Sequence, residues 1–393
     1  MEKPLNNQAR DLVFNYDLNI LIEIVDVLKK YKYKKIQYIP PLHSYLAVAK
    51  EHENIFNLLS KKKHLLFYYS LFPKIYRFYL SKHQRVCFDA CFSNQYVSKA
   101  ELQKIFPENL IKKAVENNIV IEKENNLKFT LSFLPFDDYV FLREPDQEYD
   151  DFYVDPEKTG HPEFDNRVWV GADSIIFARF LKKYLKEKHY NRAIEIGSGT
   201  GILTIICSKF TKSFEAIDYN NRAVQYTKLN VAINKIPNVE TRYSNLFENV
   251  EGKFDFMLAA PWFVDLEKGG LEEVPDIMNG LDKYLKDDGL CLMTLNSYVK
   301  NGKDPNIEYL KNFIKSNNYD LELFTMGYQI ERERIKDWKK NNIDYVVGYF
   351  AIIKKDGKGT LKRHEVSFFR KLRDFTFIRF YWLFSKYFNF FNA

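Results

Sequence analysis

Residues 193–201 read Ala193-Ile194-Glu195-Ile196-Gly197-Ser198-Gly199-Thr200-Gly201, and an apolar stretch from Ile202 to Phe210 leads on to Phe214-Glu215-Ala216-Ile217-Asp218. Ala193, Ile194 and Ile196 fit a buried strand. Gly197, Gly199 and Gly201 predict a turn in which the backbone approaches a ligand closely, and Ile202–Phe210 suits a helix. Asp218 then closes a second strand. In a doubly wound sheet the carboxyl ends of neighbouring strands face one crevice, so Asp218 is expected beside the glycine turn, placed to accept hydrogen bonds from a ribose diol.

The glycine spacing narrows the ligand. A dinucleotide fingerprint needs Gly or Ala three residues after its second glycine, to pack the helix tightly and hold a pyrophosphate, but Ile202 stands there. No Gly-x-x-x-x-Gly-Lys-Ser/Thr run is present to cradle a nucleoside triphosphate. Glu195, just before the turn, is a poor neighbour for phosphate and a good one for a cation. A ligand with a sulfonium, an ammonium and a ribose but no phosphate fits, and S-adenosylmethionine is such a ligand. The plainer alternative is a glycine turn that only connects strand to helix.

The segment Glu195-Ile196-Gly197-Ser198-Gly199-Thr200-Gly201 with Asp218 resembles motif I and the following acidic position of Rossmann-like class I S-adenosylmethionine-dependent methyltransferases. Further on, Asn221-Arg222-Ala223-Val224, Leu229 to Asn234, Ser244-Asn245-Leu246-Phe247 and Phe254-Asp255-Phe256-Met257 resemble successive blocks of one subgroup. That subgroup holds the small-domain enzymes, among them the ribosomal RNA guanine and release-factor glutamine methyltransferases. The likeness covers roughly residues 165–355. It implies a seven-stranded α/β methyltransferase sheet with S-adenosylmethionine as cofactor. Glu195, Gly197, Ser198, Gly199 and Gly201 would hold the methionyl part, Asp218 the ribose, and Asn245 with Leu246 the adenine, with Ala260 also beside the cofactor. Members usually carry Asp at the position of Asn245.

A second departure bears on the acceptor. The subgroup's Asn/Asp-Pro-Pro-Tyr/Phe is replaced by Ala260-Pro261-Trp262-Phe263. The usual Asn or Asp takes hydrogen bonds from a planar nitrogen, and Ala260 has no side-chain acceptor, which leaves backbone carbonyls near the cofactor. Trp262 and Phe263 remain able to stack on a flat or apolar substrate. Methyl transfer gains most from holding the reactants in line, worth ~7–11 kcal/mol in favourable cases. The missing Asn therefore redirects the expected acceptor, away from base amines and glutamine amides towards an oxygen, a carboxylate or an aliphatic amine. A general base is not evident; His161 and Asp173, ahead of motif I, are the candidates.

The 393 residues and 46% hydrophobic content allow two or three cored domains. Four scattered cysteines, Cys87, Cys91, Cys207 and Cys291, do not spell a disulfide framework or a zinc site, and no metal is expected. The beginning shows no signal-peptide pattern and the chain no apolar run of ~20 residues, so a cytoplasmic protein is expected. Residues 1–80 read as helical, with Leu18, Leu21, Ile22, Ile24, Val25 and Leu28 on one stripe and further helices over 45–59 and 65–80. Residues 81–150 read as a winged-helix-like accessory domain. There Ser98 caps a helix to Ile105, Pro107 starts another over 108–118, and Val120–Glu122 with Leu127–Leu134 form the wing. Lys112-Lys113 is its only adjacent basic pair, which favours packing on the catalytic domain over nucleic-acid binding. Residues 151–355 are the catalytic domain, and 145–172 include a segment expected to act as a lid, a plain linker being the competing reading.

Residues 356–393 carry eight basic and three acidic residues, which is most of the formal +7. A basic aromatic C-terminal helix is expected there. Docking onto the N-terminal helices is its preferred role, ahead of an anionic membrane surface at the inner face of the membrane and of nucleic acid. The expected activity is methyl transfer from S-adenosylmethionine to a small-molecule, glycan, lipid or protein acceptor. RNA methylation and a non-catalytic cofactor-binding scaffold are the alternatives.

Overall fold

The computed structural model describes residues 16–33, 80–144, 168, 170, 172–261, 273–329 and 341–364. They fall into two compact units, one ending at Glu251 and the other starting at Gly252.

The first unit opens with α1 (Leu18–Lys30), capped by Asp17, whose side chain accepts from the Asn19 amide at 2.8 Å. Ile20, Leu21, Ile24, Val25 and Leu28 are buried, while Leu18, expected on the stripe, is 37% exposed. The helices expected over 45–59 and 65–80 lie outside the described residues, apart from Leu80. After α2 (Lys82–Cys87) and a π-helical turn over Phe88–Phe92 come β1 (Val97–Ser98), α3 (Lys99–Leu102), α4 (Glu108–Glu116), β2 (Val120–Lys123) and β3 (Asn126–Phe129). The three strands form an antiparallel sheet in the order β1-β3-β2. Ser98 caps α3 by accepting from the Glu101 amide at 3.3 Å. The strand expected over 127–134 breaks after Phe129, where Thr130 turns to hydrogen-bond the carbonyls of Asn118 and Ile119. Beyond the break the chain forms a separate hairpin, β4 (Ser132–Phe136) with β5 (Tyr139–Arg143).

The same unit continues through α5 (Ala172–Tyr184), β6 (Tyr190–Ile196), α6 (Ile202–Ser208), β7 (Thr211–Asp218), α7 (Asn221–Ile233) and β8 (Val239–Tyr243). Strands β6, β7 and β8 are parallel neighbours in that order, with Glu195 opposite Ala216 and Asp218 opposite Tyr243. Every residue of α6 is buried, which explains why its sequence is apolar all round.

The second unit holds β9 (Phe254–Ala259), α8 (Val274–Tyr284), β10 (Leu285–Lys300), α9 (Pro305–Asn317), β11 (Asp320–Gln329), β12 (Ile343–Lys354) and β13 (Leu361–His364). Its strands run in the order β13-β11-β12-β10-β9. Strand β12 is antiparallel to both neighbours, and the β9–β10 and β11–β13 pairs are parallel. Asp304 caps α9, with Pro305 at its first position.

Two expectations need correction. The described strands β6–β13 number eight against the seven anticipated, and residues 361–364, assigned to a C-terminal helix, are the last of them. The cause is Asp320, whose Oδ1 accepts from the amides of Lys358 and Thr360, both at 2.9 Å, and from the Thr360 hydroxyl at 2.6 Å. Those bonds hold the carboxyl below its ordinary range. A Cβ at Gly357 would lie 2.2 Å from the Asp320 amide nitrogen, so only glycine lets the turn close this tightly. The chain is thereby delivered to the edge of β11, where Glu322 pairs with His364 at 2.8 Å. The rest of the expected tail helix, 365–393, lies outside the described residues. No helix among the described residues is long and apolar enough to cross a membrane.

Candidate functional site

The turn after β6 is built from left-handed backbone. Gly197, Gly199 and Gly201 have φ of 75°, 56° and 76°, values that L side chains rarely adopt. The carbonyl of Ile217, near the end of β7, accepts from the amides of both Gly197 and Ser198, at 2.9 and 3.0 Å. The turn is thus anchored to the neighbouring strand. A Cβ on Gly197 or Gly199 would meet nothing within 4 Å, so both face open space, whereas one on Gly201 would lie 2.7 Å from Thr227 Cγ2. Two glycines thus leave room over the turn, and the third lets α7 come close.

Two carboxylates flank this space. Glu195 is buried on β6, and its Oε2 accepts from the hydroxyl of Thr204 in the first turn of α6. Burial pushes its pKa up to about 8, against the opposing pull of that hydrogen bond. Asp218 Oδ2 accepts from the Gly199 amide and Oδ1 from the Asn220 amide, each at 2.9 Å. Burial raises Asp218 to about 6, again against its backbone hydrogen bonds. The Ser244 amide donates to the Asp218 carbonyl at 3.0 Å, and the buried Ser244 hydroxyl donates to the Leu246 carbonyl at 2.9 Å. Leu246 sits at φ 47°, and the exposed Asn245 donates to Glu248 at 3.0 Å.

Glu195, Ser198, the three glycines and Asp218 are therefore gathered around one turn, with Asn245 and Leu246 following the strand next to Asp218. Ala260 and Pro261 belong to the other unit, where Ala260 directly follows β9 and Pro261 is buried. Trp262, Phe263 and His161 lie outside the described residues; Asp173 falls in α5. Sequence reasoning missed Thr204 and the inner face of α7. Thr227 donates to the Gly199 carbonyl at 3.0 Å and lies 3.2 Å from the Ser198 hydroxyl, and Asn230 donates to the Thr200 carbonyl at 2.8 Å. The available signal was the spacing of Thr227, Asn230 and Asn234, polar residues on one face of an otherwise packed helix. Tyr219, exposed beside Asp218, was also passed over.

Residues 174–318 match the family model described as the methyltransferase small domain. A protein of Methanocaldococcus jannaschii, provisionally named a protein N5-glutamine methyltransferase, is 32% identical over 168 residues, covering 38% of this chain and 80% of the relative. The chain belongs to the small-domain family of class I S-adenosylmethionine-dependent methyltransferases. This methyltransferase is also 41% identical over 81 residues to the ribosomal protein L11 methyltransferase of Thermotoga neapolitana, covering 20% of this chain and 30% of that one. Among solved structures, the ribosomal protein L11 methylase of Lactobacillus delbrueckii subsp. bulgaricus aligns with a TM-score of 0.34 at 20% identity, over 48% of this methyltransferase and 81% of that chain.

Proposed function

We propose that this methyltransferase modifies a protein, and that the attacking group is an amine or oxygen rather than a planar amide. The turn fits its cofactor. Gly197 and Gly199 leave open space where backbone must meet a ligand. Glu195 is a buried carboxylate for which a cationic ligand would supply the missing counter-charge. Asp218 takes the Gly199, Asn220 and Tyr219 amides, and an ionised carboxylate offers about four acceptor sites, so it keeps capacity for a ribose hydroxyl. On this reading Glu195 and the turn hold the methionyl part, Asp218 the ribose, and Asn245 with Leu246 the adenine. The cofactor, when bound, supplies a methyl group on a sulfonium.

The single observation that shapes the acceptor assignment is Ala260. Its methyl side chain can neither accept from nor orient a planar nitrogen, so the acceptor must bring its own nucleophilic lone pair and be held in line by shape. We place Ala260, Pro261, Trp262 and Phe263 at the acceptor. A protein acceptor is favoured by the relatives' names.

Residues 81–150 we read as a winged-helix-like accessory domain serving 151–355, in keeping with the order β1-β3-β2 and the helices before it. The second helix of its helix-turn-helix, α4, would be the usual nucleic-acid contact of such a fold. Here α1 packs against that helix, with Lys113 3.5 Å from Glu23, and Lys112 is 3.9 Å from Glu116. That occupation argues for a protein acceptor over RNA. The test is transfer of a labelled methyl group into an extract of the source cells, followed by separate nuclease and protease digestion. Label released by protease alone supports the proposal; label released by nuclease assigns the acceptor to RNA.

A further inference from the structure

Asn230 uses its whole side chain on two separate parts of the first unit. Its Oδ1 accepts from the Leu142 amide at 2.6 Å, and its Nδ2 donates to the Leu142 carbonyl at 2.9 Å and to the Thr200 carbonyl at 2.8 Å. Asn234, the C-cap of α7, repeats the first half of this pattern one turn along. Its Oδ1 accepts from the Val140 amide at 3.1 Å, and its Nδ2 donates to the Val140 carbonyl at 2.7 Å. Four residues of helix advance about 6 Å and two residues of strand about 6.8 Å, so asparagines spaced by four match alternate residues of β5. The helix presents two amide side chains as though they were a neighbouring strand. Both asparagines are buried, at 0% and 8% exposure.

The hairpin β4–β5 is also held by buried hydrogen bonds, from the Ser132 hydroxyl to the Phe92 carbonyl at 2.9 Å and from the Tyr33 hydroxyl to the Phe133 carbonyl, and by ion pairs. Asp137 in its turn pairs with Lys182 of α5 at 2.7 Å, and Glu144 at its end pairs with Arg222 of α7. Asn230 links it onward to the glycine turn, at the residue between Gly199 and Gly201. Thr227, one turn earlier, holds the Gly199 carbonyl, so the outer wall of the turn is suspended from α7 by two side chains.

We propose that Asn230 is a positioning residue that couples the docking of the β4–β5 hairpin to the shape of the cofactor turn, so that the accessory region sets cofactor affinity. The inference rests on the reading of this turn as the S-adenosylmethionine site. A hairpin that is fully docked fixes the Asn230 amide plane through two bonds to Leu142, and that plane fixes the direction in which Thr200 is held. A loosened hairpin frees the amide to rotate, and the turn loses one of its two tethers to α7.

Coupling of this kind is reciprocal: what tightens the turn must tighten the hairpin by the same factor. The experiment is amide hydrogen exchange at Val140 and Leu142 in the full-length protein, with and without saturating S-adenosylmethionine, alongside calorimetric affinity for the same cofactor. Bound cofactor is expected to slow exchange at both amides by about fivefold or more. Asn234→Ala touches the hairpin but not the turn, and it is expected to weaken cofactor binding by a comparable factor. That weakening should vanish when Asn230→Ala is already present, because the link is then cut. Cofactor binding without protection of Val140 and Leu142, or an Asn234→Ala effect that persists in the Asn230→Ala background, overturns the coupling. If the native chain takes up no cofactor at all, the cofactor reading falls and the coupling with it.

Discussion

The hydroxyl of Thr204 donates to the carboxylate of Glu195, joining the first turn of α6 to the last residues of β6 inside the core. Together with the Thr204 backbone amide, it resists the upward push of burial on this acid. Replacing Thr204 with Val keeps the shape and the backbone bond and removes the hydroxyl donor. A hydrogen bond to a charged group contributes about 1.5–3 kcal/mol, and here it is needed when Glu195 is ionised against a cationic ligand. Thr204→Val is therefore expected to weaken S-adenosylmethionine binding by roughly tenfold or more, with little change in the melting temperature of the cofactor-free protein at neutral pH. Calorimetry and a thermal melt of the same sample check both halves, and an unchanged affinity would remove Thr204 from the site.

The raised acidity constant of Glu195 carries its own pH signature. Burial lifts the folded-state value from 4.5 to about 8, so the folded protein holds this proton more tightly than the unfolded chain does. The stabilisation is complete below the ordinary carboxylate value and is lost as pH rises through about 8. A cationic ligand favours the ionised form, so binding must expel the proton. Asp218, raised to about 6, is largely ionised from about pH 7 upward, which leaves the interval above that for Glu195. Between about pH 7 and pH 8, affinity is expected to rise about fivefold, with release of close to one proton at pH 7 measurable in buffers of different ionisation enthalpy. Glu195→Gln should flatten that slope, weaken binding, and stabilise the cofactor-free protein at pH 8. The same slope in the Gln variant would assign the proton elsewhere.

The glycines of the turn separate two kinds of damage. Alanine at Gly201 brings a Cβ to 2.7 Å from Thr227 Cγ2 and 3.3 Å from Thr227 Cα at a φ of 76°. Helix α7 must move, and the bond from Thr227 to Gly199 goes with it. Alanine at Gly197 meets no protein atom and bears only the left-handed backbone cost of roughly 1–2 kcal/mol, but it projects into the open space over the turn. Gly201→Ala is expected to lower the melting temperature more than Gly197→Ala. Gly197→Ala should lose cofactor affinity out of proportion to its smaller loss of stability. Equal ratios of the two effects would mean that the space over Gly197 is not where the ligand sits.

The cofactor turn was legible in the chain because its information is local. Apolar residues before the glycines, glycines at alternate positions and an acid at the end of the next strand all fall within 26 consecutive residues. The supports of that turn were not legible for the opposite reason. Asn230 and Asn234 find their partners in a hairpin almost a hundred residues earlier, and the hairpin's β4 is buried at every position, so it lacks the alternation that marks a strand with one solvated face. The eighth strand was hidden similarly. Leu361–His364 reads as part of a basic tail, and only the grip of Asp320 on Lys358 and Thr360 turns it into an edge strand.

Ala260 offers the sharpest test of acceptor choice. If the native acceptor were a planar nitrogen handicapped by the missing amide, restoring the family residue with Ala260→Asn would add an orienting hydrogen bond and raise turnover. If the acceptor is an amine or oxygen held by shape, the larger, polar side chain intrudes where a methyl group stands, and an amide left without a partner on binding costs about 1–3 kcal/mol. The second outcome is expected. Labelled methyl transfer to the native acceptor should fall by about tenfold or more, with cofactor affinity unchanged by calorimetry. A tenfold gain in transfer would reverse the assignment and return the acceptor to the amide and base-amine class of the family's Asn/Asp-Pro-Pro-Tyr/Phe members.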